Sequence, residues 1–134
     1  LTKFKISSET MWHEINEIHG EFGGAYILRC GDDMPISTSR LLAKDESGIL
    51  YIGKTNSFIN RVAELKKSIS LKYKSGSHEC GSRYKAHLGI SNAFPYEQLY
   101  LNLVGSDDPR TTESNLLKEY EEKFGELPPL NRVS

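Results

Sequence analysis

Apolar residues recur along this chain with two different periods, and the switches between them mark out its elements. Met11, Ile15, Ile18 and Phe22 fall at helical spacing, with Ser7 or Ser8 placed to cap them. They predict a helix over about 8–19, broken by Gly20, Gly23 and Gly24. From Ala25 to Cys30 the faces alternate, with Tyr26, Leu28 and Cys30 on one side, as in a strand. A polar stretch at 31–47, with Asp32, Asp33, Pro35 and a Ser-Thr-Ser run, reads as a loop. Ile49 to Ile52 is a second strand, ended by Gly53 and expected to pair with the first as an antiparallel hairpin.

Helical spacing then returns. Phe58, Val62, Leu65 and Ile69 share one stripe, predicting a helix from 57 to about 73 that Thr55, Asn56 or Ser57 can cap. A loop over 75–82, a short helix around 83–89 and a turn near Pro95 follow. Leu99, Leu101 and Leu103 alternate with Tyr100, Asn102 and Val104 as a half-buried strand. Asp108-Pro109 starts the last helix with a capping carboxylate and a proline whose missing N–H costs nothing there. Leu117, Tyr120 and Phe124 mark its buried stripe, Gly125 stops it, and Pro128-Pro129 prevents resumption. The order predicts an α+β domain, a small three-stranded antiparallel sheet flanked by helices.

With 134 residues, the chain is expected to form a single domain with one core. No run approaches the roughly 18 apolar residues of a membrane span. No signal-peptide pattern opens the chain, and two distant cysteines, Cys30 and Cys80, do not make a disulfide framework. A reducing, cytoplasmic setting is the expectation, with one disulfide left open.

Net charge is -1, which argues against a nucleic-acid partner until its distribution is considered. Between 61 and 90, Arg61, Lys66, Lys67, Lys72, Lys74, Arg83 and Lys85 face only Glu64 and Glu79. Between 107 and 126, Asp107, Asp108, Glu113, Glu119, Glu121, Glu122 and Glu126 outweigh Arg110, Lys118 and Lys123. A basic middle and an acidic end are compatible with a polyanion track beside a metal-binding region, or with two solvated helix faces.

The chemistry-bearing residues come in a distinctive order. Gly24-Ala25-Tyr26 opens the first strand and Tyr51-Ile52-Gly53-Lys54-Thr55 leaves the second. Arg61 follows Tyr51 by ten residues, Glu113 lies near the start of the last helix, and Asn131 follows Pro-Pro-Leu. Over about residues 23–132 this resembles the GIY-YIG nuclease superfamily, named for paired tripeptides on two strands. The second tripeptide stands unchanged as Tyr51-Ile52-Gly53, and the first keeps its glycine and tyrosine. Tyr-Ile-Gly-Lys-Thr with Arg61 is similar to the family's incision-repair nucleases, and the long gap between tripeptides to its restriction-enzyme branch. The resemblance implies a core at 23–132 behind a helical extension at 1–22, and a metal-dependent endonuclease hydrolysing phosphodiester bonds. It implies catalytic roles for Tyr26, Tyr51, Lys54, Arg61 and Glu113, with magnesium or manganese held by Glu113.

Each residue type also has a physical reason. Arg61 is always charged, can grip phosphate with two donors, and flanks the apolar stripe of its helix; a snorkelling arginine at the core rim fits the same position. Glu113 shares a face with Leu117, Tyr120 and Phe124, where a carboxylate is costly unless it is paired or holds a cation. The helix macrodipole favours a glutamate there too. Tyr26 and Tyr51 could position or deprotonate water, or simply pack in the sheet. Lys54 could supply a cationic field or contact phosphate, and Gly53 would allow close backbone approach. Lys66, Lys67, Arg83, Gly53 and Asn131 are the expected substrate contacts, although Asn131 could equally be a turn residue.

One departure matters. Many family members carry His or Tyr one turn after the arginine, where this chain has Leu65. His78 or Tyr73 could substitute, and His78 is the candidate proton carrier, with a plain loop histidine as its alternative. His78 with Cys80 is too small a set for structural zinc and has no orienting third residue for thiol catalysis. Gly53-Lys54-Thr55 lacks the upstream glycine of a phosphate loop. The expected partner is nucleic acid, DNA before RNA, with no membrane. Dimerisation, or a noncatalytic binding module on the same scaffold, stays open.

Overall fold

A computed structural model describes residues 2–70 and 78–132. Its main sheet has four antiparallel strands, one more than the pattern predicts, in the order β1-β6-β2-β5. The added strand, β1, is Phe4–Lys5, pairing with β6 (Leu99–Gly105). Two residues are too short to show a period. The central strand β2 is Gly24–Cys30, buried except at Arg29, and β5 is Ile49–Thr55. Between them the expected loop carries a small hairpin, β3 (Thr38–Ser39) with β4 (Lys44–Asp45).

Helices cover both faces of the sheet. Tyr26, Leu28, Leu101 and Leu103 pack with α1 (Met11–His19), α2 (Phe58–Ile69) and α3 (Glu79–Ala86). On the other face Ile27 and Ile52 meet Leu117, Tyr120 and Phe124 of α5 (Pro109–Phe124). α5 starts and stops where expected: Asp108 accepts from the Thr111 N–H, and Gly125 takes the left-handed φ of 80°. The single short helix expected at 83–89 is instead the end of α3 and a separate α4 (Leu88–Ala93), meeting at His87. Part of the expected 57–73 helix and of the 75–82 loop, with Lys72, Tyr73 and Lys74, lies outside the described residues. Among the described residues no helix is long and apolar enough to cross a membrane.

The α1 stripe differs from its expectation. Met11 and Ile15 are buried, but Ile18 is 58% and Phe22 75% exposed. The helix ends at His19, and that ring takes the next inward position, lying 4.9 Å from the Phe58 ring. Phe4, Ile6, Met11 and Ile15 belong to the same core as β2, so this segment packs into the domain.

Two details of β5 set up the site. The strand does not end at Gly53, as expected, but runs on to Thr55. It also pairs Tyr51 with Leu28 but Ile49 with Arg29, leaving Leu50 as an extra residue. That bulge lets Leu50 and Tyr51 both contribute to the α2 side, while Ile49 and Ile52 face α5.

Candidate active site astride the edge strand

Tyr26 and Tyr51 lie on neighbouring strands and project to the α2 face, with ring centroids 6.1 Å apart. Gly53 sits opposite Tyr26, and a Cβ there would overlap the Tyr26 phenol and the Tyr51 ring. The second motif glycine therefore makes room for the first motif tyrosine, a reason different from close approach to substrate.

Tyr26 is buried and its hydroxyl lies 2.8 Å from His78 Nε2. His78 is fully buried as the N-cap of α3, and its Nδ1 accepts from the Cys80 N–H at 3.2 Å. Burial, then the charges of Arg61 and Arg83, lower its pKa to about 4, so the ring is neutral near pH 7. A neutral ring whose Nδ1 accepts must carry its proton on Nε2, so His78 donates to the Tyr26 oxygen. The His78 N–H in turn donates to Ser68 Oγ at 3.0 Å. Neither Ser68 nor Cys80 carries a sequence signal for this role, because the contact depends on α2 meeting α3.

Arg61 projects from α2 into the same cluster. Its charge acts on Tyr26, Tyr51 and His78. Burial, the largest influence, raises both phenols' pKa, against the downward pull of Arg61. Tyr51 is only half-buried, so it is the phenol that solvent or a substrate can reach.

Lys54 and Glu113 form the second half of the site. Lys54 pairs with Ala25 and leaves β5 toward α5, where its Nζ stands 3.6 Å from Glu113 Oε1. The Glu113 side chain is 15% exposed, and its charge reaches Tyr51, pushing that pKa up. The two halves thus meet around the edge strand, phenols and guanidinium on one side, carboxylate and ammonium on the other. No family model, curated protein or solved structure matches the chain. The arrangement must be read from its own geometry.

The expected substrate contacts separate into different places. Arg83 donates to the Leu130 carbonyl. Lys66 donates to the Ser8 carbonyl at 2.8 Å and, with Lys67, lines a groove of about 720 Å³ between α1, α2, α3 and α4. Neither tyrosine, nor Arg61, nor His78 borders that groove. Asn131 bonds both backbone groups of Ile52 at 3.0 Å, clamping the open edge of β5. Cys30 and Cys80 are buried free thiols.

Among the described residues no group of three or more His, Cys, Asp or Glu side chains is arranged to hold a metal ion. Glu113 alone fits a more modest demand. Its ion pair is longer than a charge-assisted hydrogen bond, which leaves carboxylate oxygens open to another cation. Magnesium keeps several waters and is often bound through one or two carboxylates.

Proposed function

We propose that this chain is a metal-dependent endonuclease that hydrolyses phosphodiester bonds in nucleic acid, DNA before RNA. The observation that carries the reading is the shared corner of Tyr26, Tyr51, Arg61 and His78, with Glu113 close enough for its charge to act on Tyr51. A phosphate lying along the end of β5 would meet a fixed guanidinium on one side and a carboxylate able to hold a cation on the other. Magnesium or manganese at Glu113 would supply positive charge for the oxyanions that develop during hydrolysis.

The protein's own groups divide the remaining work. Arg61 stabilises charge on the nonbridging oxygens. His78 Nε2 donates to the Tyr26 oxygen, and the Arg61 charge acts on both phenols. Tyr51, the accessible phenol, orients the attacking water. In this reading His78 is a fixed donor that orders Tyr26, in place of the polar residue absent at Leu65.

A plasmid-nicking assay with and without Mg²⁺ or Mn²⁺, on wild type and Glu113→Ala, tests the proposal. The expected result is metal-dependent nicking that the variant loses. Salt-sensitive DNA binding with no cleavage by wild type under either metal refutes catalysis and identifies a binding module instead.

A further inference from the structure

Glu113 and Lys54 are unequal partners. The glutamate side chain is 15% exposed and the lysine 46%. A largely withdrawn carboxylate needs a compensating cation, whereas a half-exposed lysine on a flexible stem can leave at little cost. Space for that movement is present: Lys54, Thr55, Asn56, Asp108, Pro109 and Arg110 line an adjoining cavity of about 350 Å³. The pair is also loose, because 3.6 Å exceeds the length of a charge-assisted hydrogen bond.

We infer that the Lys54 ammonium is a resting surrogate for the divalent cation at Glu113, displaced when the cation binds and then free to contact the substrate phosphate. This rests on the nuclease reading above. An ammonium and a divalent ion cannot share one carboxylate closely, because their repulsion is severe at short range in a partly desolvated corner. Lys54 therefore opposes cation binding and assists the reaction afterwards. Those two effects have opposite signs, and a purely structural lysine would not produce them.

The test is Mn²⁺ binding without nucleic acid, read from the paramagnetic resonance signal of free Mn²⁺, alongside single-turnover cleavage at saturating Mn²⁺. Lys54→Met keeps length and removes charge, and Lys54→Gln is a second neutral variant. Both are expected to bind Mn²⁺ about fivefold more tightly and yet to cut about a hundredfold more slowly. Glu113→Gln is expected to abolish the binding. Unchanged or weaker Mn²⁺ binding in both neutral variants, with wild type still cutting, overturns the surrogate role and leaves the nuclease reading standing. No Mn²⁺ binding and no cleavage by wild type overturns both.

Discussion

Two buried tyrosines mark the opposite faces of this sheet, and they are finished very differently. Tyr120, on the α5 face, donates to Asp45 Oδ2 at 2.7 Å. Asp45 in turn accepts from the Ser47 N–H at 2.9 Å and the Ser47 hydroxyl at 2.5 Å. Three donors thus meet one carboxylate, and the result ties the β3–β4 hairpin to the helix. Tyr26, on the α2 face, receives a ring N–H and feels the Arg61 charge, with no carboxylate among its hydrogen-bond partners in the described residues. On His78 the positive charges of Arg61 and Arg83 outweigh the negative charge of Glu64. A carboxylate met by three donors is an anchor, whereas a corner with excess positive charge is prepared for an anion it does not itself contain.

The sharpest way to break the comparison is to remove the charges that distinguish the two corners. Arg61→Ala is expected to lower the cleavage rate by about a thousandfold while shifting chemical unfolding only slightly. A variant that unfolds as readily as it loses activity would mean Arg61 is merely packing. The converse substitution belongs to the other face. Asp45→Ala leaves Tyr120 without its acceptor and should cost about 3 kcal/mol in urea unfolding, with the cleavage rate per folded molecule unchanged.

Acid sharpens the contrast next. The His78 pKa is depressed from 6.5 to about 4 in the folded chain, so the unfolded state binds the extra proton first. Its contribution is full above about pH 6.5 and fades as pH falls toward 4, by about 3 kcal/mol in all. Wild type should therefore lose more stability over that window than His78→Gln, and parallel curves would refute the assignment. The smallest effect compares the phenols. Tyr26→Phe and Tyr120→Phe should each cost about 1 kcal/mol of stability, but only Tyr26→Phe should slow cleavage.

Local chemistry made much of this legible from the sequence. The cap, proline, apolar stripe and stopping glycine of α5 all lie within one helix, and all hold in the structure. The paired strands and the facing of Tyr26, Leu28 and Cys30 follow from alternation alone. What could not be read depends on distant partners. The β1 strand is defined by its register with β6, and the exposure of Ile18 and Phe22 by where α1 happens to end. The burial and tautomer of His78 come from α3 docking on α2. Asp45 lies inside a polar loop, where a serine two residues on is the local mark of its Asx turn.

The tail that crosses β5 has a consequence for how molecules of this protein meet one another. Leu130 donates to the Leu50 carbonyl at 2.8 Å, and the Asn131 amide covers both backbone groups of Ile52. A few atoms thus imitate a fifth strand along a border that would otherwise be adhesive. Substituting Asn131 by leucine would uncover that border, and clumping at high concentration is its natural outcome.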